Sequence, residues 1–266
     1  MCIRDRLVIG FDYFRNTTKD QLMSIPLPAS TGAEDITVNF GENQNVGYEF
    51  SVAAQVIRSK NWAWTTVING SHVKDRINRI STTLKNTSYQ IEEDSPLRLR
   101  FREGGSQYDI YAVRSAGIDP ATGQEIFIDR NGEYTFRYDA DDEVVVGNTQ
   151  PKLQGTWLNT LRYKGWSLNL VFSYKFGGDT YNKTLWSKVE DIDPRYNVDA
   201  RAFTDRWKRP GDLSRFLAIK EIRPEDSSYS SERFVERLNE LWLSSAMLTY
   251  EFQAKFLKRI GFKRLA

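Results

Sequence analysis

The sequence predicts an all-β chain, a partial antiparallel transmembrane β-barrel of about six strands plus the start of another. Three observations predict it. Several segments alternate apolar and polar residues with a period of two, the pattern of a strand whose faces meet different surroundings. These segments run to about ten residues or more, against about five or six for an ordinary strand and about 9 to 11 for one tilted across a bilayer. The connections alternate long and short, as in barrels with long extracellular loops and short periplasmic turns.

Along the chain, Leu7 to Asn16 alternates, with Leu7, Ile9, Phe11 and Tyr13 on one side. Thr17 to Val46, containing IPLPASTG and FGENQN, is rich in Pro, Gly, Ser and Asn and reads as a long loop. Gly47 to Ile57 is the next strand, with Tyr48, Phe50, Val52, Ala54 and Val56 facing outward, and Arg58 to Asn61 is a short turn. Trp62 to His72 runs back with Trp62, Trp64, Thr66, Ile68 and Gly70 on one face. Val73 to Gln150 is a long mixed excursion, with small hairpins turning at Ala121 to Gly123 and at Asn131-Gly132.

The clearest hairpin follows, Pro151 to Phe176, turning at Lys164-Gly165. Its first half sets Leu153, Gly155, Trp157, Leu161 and Tyr163 against Lys152, Gln154, Thr156, Thr160 and Arg162, with Leu158 and Asn159 breaking the rule. Its second half sets Trp166, Leu168, Leu170, Phe172, Tyr174 and Phe176 against Ser167, Asn169, Val171, Ser173 and Lys175. On the barrel reading Trp166, Leu168, Leu170, Phe172 and Tyr174 face lipid, with aromatic rings toward both rims and a polar lumen behind. A long hairpin of a soluble β-sandwich would alternate in the same way. Gly177 to Glu240 is a second long excursion, Leu241 to Phe252 alternates again, and KFLKRIGFKRLA reads as a short basic helical turn and the first residues of another strand.

Composition narrows the function classes. A net charge of +2 over 266 residues argues against a nucleic-acid binder. Aromatic residues make up 13 %, with seven Trp and thirteen Tyr, as expected where rings mark membrane interfaces. The mean hydropathy is −0.55 and no run of 18 apolar residues occurs, which excludes a helical membrane protein but not a barrel. Cys2 and His72 are single, so neither a disulfide framework, a Cys or His metal site nor a His-based triad can be assembled, and His72 reads as a surface residue. The start, MCIRDR, lacks the apolar core of a signal peptide, so the expectation is either a cytoplasmic protein or a start that is not the true N-terminus.

Several clusters have two readings. In the second excursion Tyr181, Trp186, Tyr196, Phe203, Trp207 and Phe216 are interleaved with Asp193, Arg195, Arg206 and Arg209. Exposed rings beside charges suit a sugar or peptide ligand; the same rings would also pack a loop against its neighbours. Asp129, Asn131 and Glu133 resemble the start of a calcium loop but lack the remaining ligands, so a turn is favoured. The carboxylates of Asp139 to Glu143, like Glu92, Glu93 and Asp94, read as solvated. Lys255, Lys258, Arg259, Lys263 and Arg264 suit a periplasmic helix better than a nucleic-acid patch. No carboxylate pair is placed as acid and base, so no enzyme and no cofactor is expected.

Four stretches together resemble the C-terminal part of the barrel of SusC/RagA-type TonB-dependent outer-membrane transporters. They are DYFRNTTKDQL with IPLPASTG and NFGENQNVGYEFS; AGIDPATGQEIFIDRNGEY, close to the family's Gly-Asp-Pro-x-Thr-Gly turn with Ile118 between Gly and Asp; GNTQPKLQGTWLNTLRYKGWSLNLVFSYKFGGDTYN; and ERFVERLNELWLSSAMLTYEFQAKFLKRIG. Trp242 departs from the pattern where the family often has Arg. The resemblance implies that residues 1–266 are a fragment of a receptor barrel domain, without the plug and the N-terminal barrel strands and with the last strands truncated. It implies TonB-dependent import of a bulky nutrient, an oligosaccharide or a peptide, across the outer membrane of a Gram-negative bacterium. The implied partners are a SusD-like surface lipoprotein acting as a lid and the TonB complex through the missing N-terminal part. Tyr181, Trp186, Arg195, Tyr196 and Trp207 are then the candidates for ligand or lid contact. A carbohydrate-binding β-sandwich and a passive porin are the alternatives.

Overall fold

A computed structural model of the chain describes residues 6–252, apart from 28, 34, 82–87, 91–97, 193–196 and 220–228. Six long strands form one antiparallel sheet in chain order: β1 (Leu7–Pro26), β2 (Asp35–Arg58), β3 (Trp62–Ile80), β4 (Leu153–Tyr163), β5 (Trp166–Tyr181) and β6 (Val235–Tyr250). Because the pairing is antiparallel throughout, residues opposite one another share a face, and the alternation of each strand adds to that of the next.

One face is apolar across all six strands. Opposite residues form rows such as Ile9, Val52, Ile68, Trp157, Phe172 and Leu243, and the expected set Trp166, Leu168, Leu170, Phe172 and Tyr174 lies together on this face. Phe11 remains 66 % and Leu248 63 % exposed, so among the described residues no second layer covers the face. Rings bound it at two levels. At the short-turn end Trp62 and Tyr163 lie 4.3 Å apart between ring centres and Trp166 and Tyr250 4.6 Å apart. At the other end Tyr13, Tyr48 and His72 are opposite one another, and Phe176, opposite Leu153, marks the same level on β5. The ten residue steps from Trp166 to Phe176 cover roughly 33 Å along the strand, which at a tilt of about 40° spans roughly 25 Å, the height of an apolar membrane band.

The opposite face is mixed: an apolar row of Val8, Ala53, Val67, Leu158 and Val171 runs between rows that are polar and cross-linked. Ser51 Oγ donates to Asn69 Oδ1 at 2.8 Å, Asn69 Nδ2 donates to Thr156 Oγ1 at 3.3 Å, and Thr160 Oγ1 donates to Asn169 Oδ1 at 2.8 Å. Asn159, which interrupts the pattern in the sequence, causes no register shift. It lies on the apolar face, 3 % exposed, and its Oδ1 accepts from the Trp64 indole at 3.2 Å; Leu158 points to the opposite face. The break is chemical, and the cross-strand indole repairs it.

The strands are longer than their alternation suggests. Residues 17–46 are not a loop: Thr17 pairs with Gln44, the ladder resumes beyond the irregularities at Asp20 (φ 53°) and Gly41 (φ 127°), and it runs to Pro26 opposite Asp35. The two bulges hide the period of two, and only the tip of IPLPASTG turns. Beyond them Phe40, Ile77, Ile80 and Phe101 form a small buried cluster. Gly177 and Gly178 absorb a similar shift, so β5 reaches Tyr181 and β6 begins at Val235. Long and short connections still alternate, at 27–34, 59–61, 81–152, 164–165 and 182–234. The closing basic segment and Glu92, Glu93 and Asp94 lie outside the described residues.

His72 stands at the surface, on the outward face, but is partly covered: its Nδ1 donates to the Lys152 carbonyl at 2.6 Å and its ring lies 5.0 Å from Tyr48. Below it, Gly70 and Gly155 are opposite each other, and rings from both sides cover them. A Cβ at Gly70 would lie 2.3 Å from the Phe50 ring. Tyr174 crosses Gly155 so that its hydroxyl donates to the Asn69 carbonyl at 2.9 Å, and a Cβ at Gly155 would sit 1.9 Å from that carbonyl. The glycines are where the sheet admits a ring lying flat across its strands.

Gly155→Ala is therefore expected to cost about 1 to 3 kcal/mol of folding stability through overpacking. Gly10→Ala, where the nearest atom to a new Cβ is 3.9 Å away, is expected to stay within about 0.5 kcal/mol. Urea titration of both variants in lipid vesicles measures the difference.

Candidate functional site: the loop assembly above the sheet

The connections 81–152 and 182–234 fold onto each other. In the first, Arg114–Ile118, Glu125–Ile128 and Tyr134–Thr135 form a three-stranded sheet, and Asp109–Ala112 pairs with Val144–Asn148. Its turns are made by side-chain caps. The Asp119 carboxylate accepts from the N–H groups of Ala121 and Thr122 and from the Thr122 hydroxyl, and that of Asp129 accepts from the N–H groups of Asn131 and Glu133. These hydrogen bonds hold both carboxyls below the usual carboxylate range, the Thr122 hydroxyl acting most on Asp119 and the Glu133 N–H on Asp129. Both turns fall where the Gly and Asn-Gly signals place them.

The second connection has its own core. Leu185, Trp186, Val189, Ala202, Phe216 and Phe234 are buried together, with Tyr181, Ile192 and Val198 packed against them. Short helices at Lys183–Leu185, Trp186–Glu190 and Arg201–Thr204 bring these residues to one side. Arg206 is buried beside this core and donates to the carbonyls of Val189, Glu190 and Leu217.

Charge locks the two loops. Arg233, at the foot of β6, reaches Glu125 of the first loop at 2.7 Å and Glu190 of the second at 3.0 Å; both carboxylates are buried and the Arg233 side chain is 10 % exposed. Burial acts against the guanidinium charge, and the two carboxylates override it, holding the Arg233 pKa above its ordinary value. Ser231 Oγ donates to Glu125 at 2.5 Å. Nearby, Glu143 is buried, paired with Arg100 at 3.1 Å, and accepts from Ser230 Oγ at 2.6 Å. The reading of Asp139 to Glu143 as solvated is corrected at Glu143, whose desolvation is offset by partners distant in sequence. The Trp207 indole donates to the Pro120 carbonyl at 2.8 Å, and its ring fills the space that a side chain at Gly123 (φ 68°) would occupy.

The candidate contact residues therefore separate. Trp186 belongs to the loop core, and Tyr181 packs beside it with its ring 5.8 Å from Phe234. Trp207 is half-buried and, with Phe203, Lys208 and Ile219, lines an open cavity of about 430 Å³. Arg195 and Tyr196 lie outside the described residues. Arg233, Glu125 and Glu190 carry no signal in the sequence, since Glu125 and Arg233 are 108 positions apart.

A TonB-dependent receptor of Formosa agariphila is 24 % identical over 97 % of this chain and 28 % of its own length, and another from the same organism is 29 % identical over 68 % of the chain and 20 % of its own. The TonB-dependent receptor SusC of Bacteroides thetaiotaomicron is 22 % identical over 94 % of the chain and 25 % of its own length. This chain is related to the TonB-dependent receptors. No family model matches it. The solved RagAB peptide transporter shares the fold, with a TM-score of 0.75 at 21 % identity over 94 % of this chain and 28 % of that one. The RagAB importer in its open-open state gives 0.74 over 96 % and 27 %. The chain thus spans about a quarter of the length of the receptors it matches and has the fold of a barrel segment of the SusC/RagA type.

Arg233→Met leaves Glu125 and Glu190 buried without their cation and is expected to destabilise the loop assembly by about 3 to 5 kcal/mol. The sheet, which does not use Arg233, should hold. Limited proteolysis should show faster cleavage within 182–234 and unchanged resistance of the barrel strands.

Proposed function

We propose that this chain is a stretch of barrel wall with its external loops in an outer-membrane, TonB-dependent importer of a bulky nutrient, an oligosaccharide or a peptide. The observation that carries the reading is the exposed apolar face, roughly 25 Å tall, bounded by rings at both levels and backed by a face with polar cross-links. A strand sheet can lie in hydrocarbon only if its backbone groups are paired and its outward side chains are apolar. A sandwich would bury the same side chains under a second sheet, and the described residues include none over this face.

On this reading Trp166, Leu168, Leu170, Phe172 and Tyr174 face lipid, and Asn169 and its neighbours face the lumen. The short turns at 59–61 and 164–165 are periplasmic and the loop assembly is extracellular. Ligand or a SusD-like lid meets that assembly on its open side, where Trp207 stands, while Trp186 and Tyr181 support the surface from beneath. The plug and the TonB contact belong to other parts of the receptor.

Leu170 lies between the two ring levels, so Leu170→Arg in the full-length parent is expected to cost about 2 to 4 kcal/mol, a penalty that changes with bilayer thickness. Asn169→Arg, on the opposite face, should alter passage of substrate more than folding. Folding measured in vesicles of different hydrocarbon thickness checks both; a thickness-independent Leu170→Arg cost, or a larger cost at Asn169, contradicts the assigned face. For sidedness, an epitope tag in 208–214 should be reached by antibody on intact cells and one at Lys164-Gly165 should not. The reverse pattern inverts the topology.

A further inference from the structure

The apolar face does not pass directly into the loops. One row beyond Tyr13, Tyr48 and His72 come Arg15, Val46 and Lys74, and one row further come Thr17, Gln44 and Arg76, all in unbroken register with the rings. The three cations are therefore on the outward face, and all three are exposed. Each row adds about 5 Å of height for a tilted strand. The headgroup layer beyond the hydrocarbon is about 5 to 7 Å deep on each side, so the two rows fall within it and just above it.

Their surroundings leave their charge available. Lys74 and Arg76 make no ion pair among the described residues. Arg15 meets the neutral amide of Gln44, whose oxygen, oriented to satisfy both groups, accepts from Nε and Nη2 at 3.1 Å. A cavity of about 750 Å³ opens beside Lys74 and Arg76 and also receives Lys152. Three carboxylates line it too, and each is turned to the loop wall. Asp75 is buried and accepts from Ser106 Oγ and the Gln107 N–H; Asp109 accepts from the Ser106 N–H and Asn148 Nδ2; Asp179 accepts from the Asn148 N–H. The carboxylates are held by neutral donors inside, while the cations stand outside.

We propose that Arg15, Lys74 and Arg76 dock the phosphate of a phosphorylated lipid headgroup in the leaflet at the loop end of the barrel, with Lys152, just before β4, closing the site. The inference rests on the membrane reading above. A headgroup phosphate is the anion available at that depth, its acyl chains continue onto the apolar face below the rings, and guanidinium and ammonium groups can engage its oxygens together. The long side chains can lie along Tyr48 and His72 while their charges remain in the wet layer. A merely solvated rim would need neither the outward register of all three cations nor the inward capping of all three carboxylates.

The test uses the full-length parent, inserted in phosphatidylcholine vesicles and then extracted in mild detergent with lipid A carrying both phosphates, retained lipid being counted by native mass spectrometry. Lys74→Gln with Arg76→Gln is expected to weaken retention about thirtyfold. Arg130→Gln with Arg137→Gln, an equal charge loss at exposed positions of the distal hairpin, should leave it unchanged, and dephosphorylated lipid A should bind both proteins equally weakly. Inorganic phosphate in excess should not displace the lipid. Equal loss in the two double variants, equal retention by all proteins, or displacement by inorganic phosphate overturns the proposal. Failure of the unmutated parent to insert into the vesicles would instead overturn the membrane reading on which it stands.

Discussion

The structure depends on one constraint: a sheet one layer thick has no core of its own, and among the described residues nothing covers its apolar face. Six strands in continuous antiparallel register satisfy their inner backbone groups among themselves, and every second side chain is then committed to the same surface. That surface is too tall, too even and too sharply ended by rings to be incidental. Polar groups on it are satisfied locally, as Asn159 is by Trp64 and Thr66 Oγ1 by the Trp157 indole at 2.8 Å. The same single-layer geometry explains the paired glycines Gly70 and Gly155, which allow Phe50 and Tyr174 to lie across neighbouring strands.

The loops are built on a different principle. They are closed by buried hydrophobic residues and by ions, with Arg233 bridging carboxylates from both connections. Such a centre is a weak source of net stability but a strong discriminator of arrangement, because displacing either loop strands a buried charge. The wall and the loop assembly can therefore respond separately to substitution, and the outward rim between them carries features of both: rings from the wall and cations beyond it.

Much of the wall was legible in the sequence. Strand identity, the faces of β3 and β5, the turn at Lys164-Gly165 and the alternation of long and short connections follow from period and turn chemistry, as does the loop turn at Asn131-Gly132. The upper halves of β1 and β2 were not, because Asp20 and Gly41 interrupt the alternation and IPLPASTG resembles a loop over its whole length. Loop interiors were legible only as aromatic-rich stretches. Whether Trp186 packs inward or Trp207 stands at an opening depends on contacts made by residues far away in sequence, and Glu143 cannot be told from its solvated neighbours without knowing where Arg100 and Ser230 fall.

The most direct test of the central claim is a nitroxide scan of β5 from Ser167 to Lys175, one labelled position at a time, in the protein reconstituted in lipid. Collision with oxygen dissolved in the hydrocarbon should be high at Leu168, Leu170 and Phe172 and low at Asn169, Val171 and Ser173, with the opposite pattern for a water-soluble nickel complex. An inverted phase, or no alternation at all, would contradict the account.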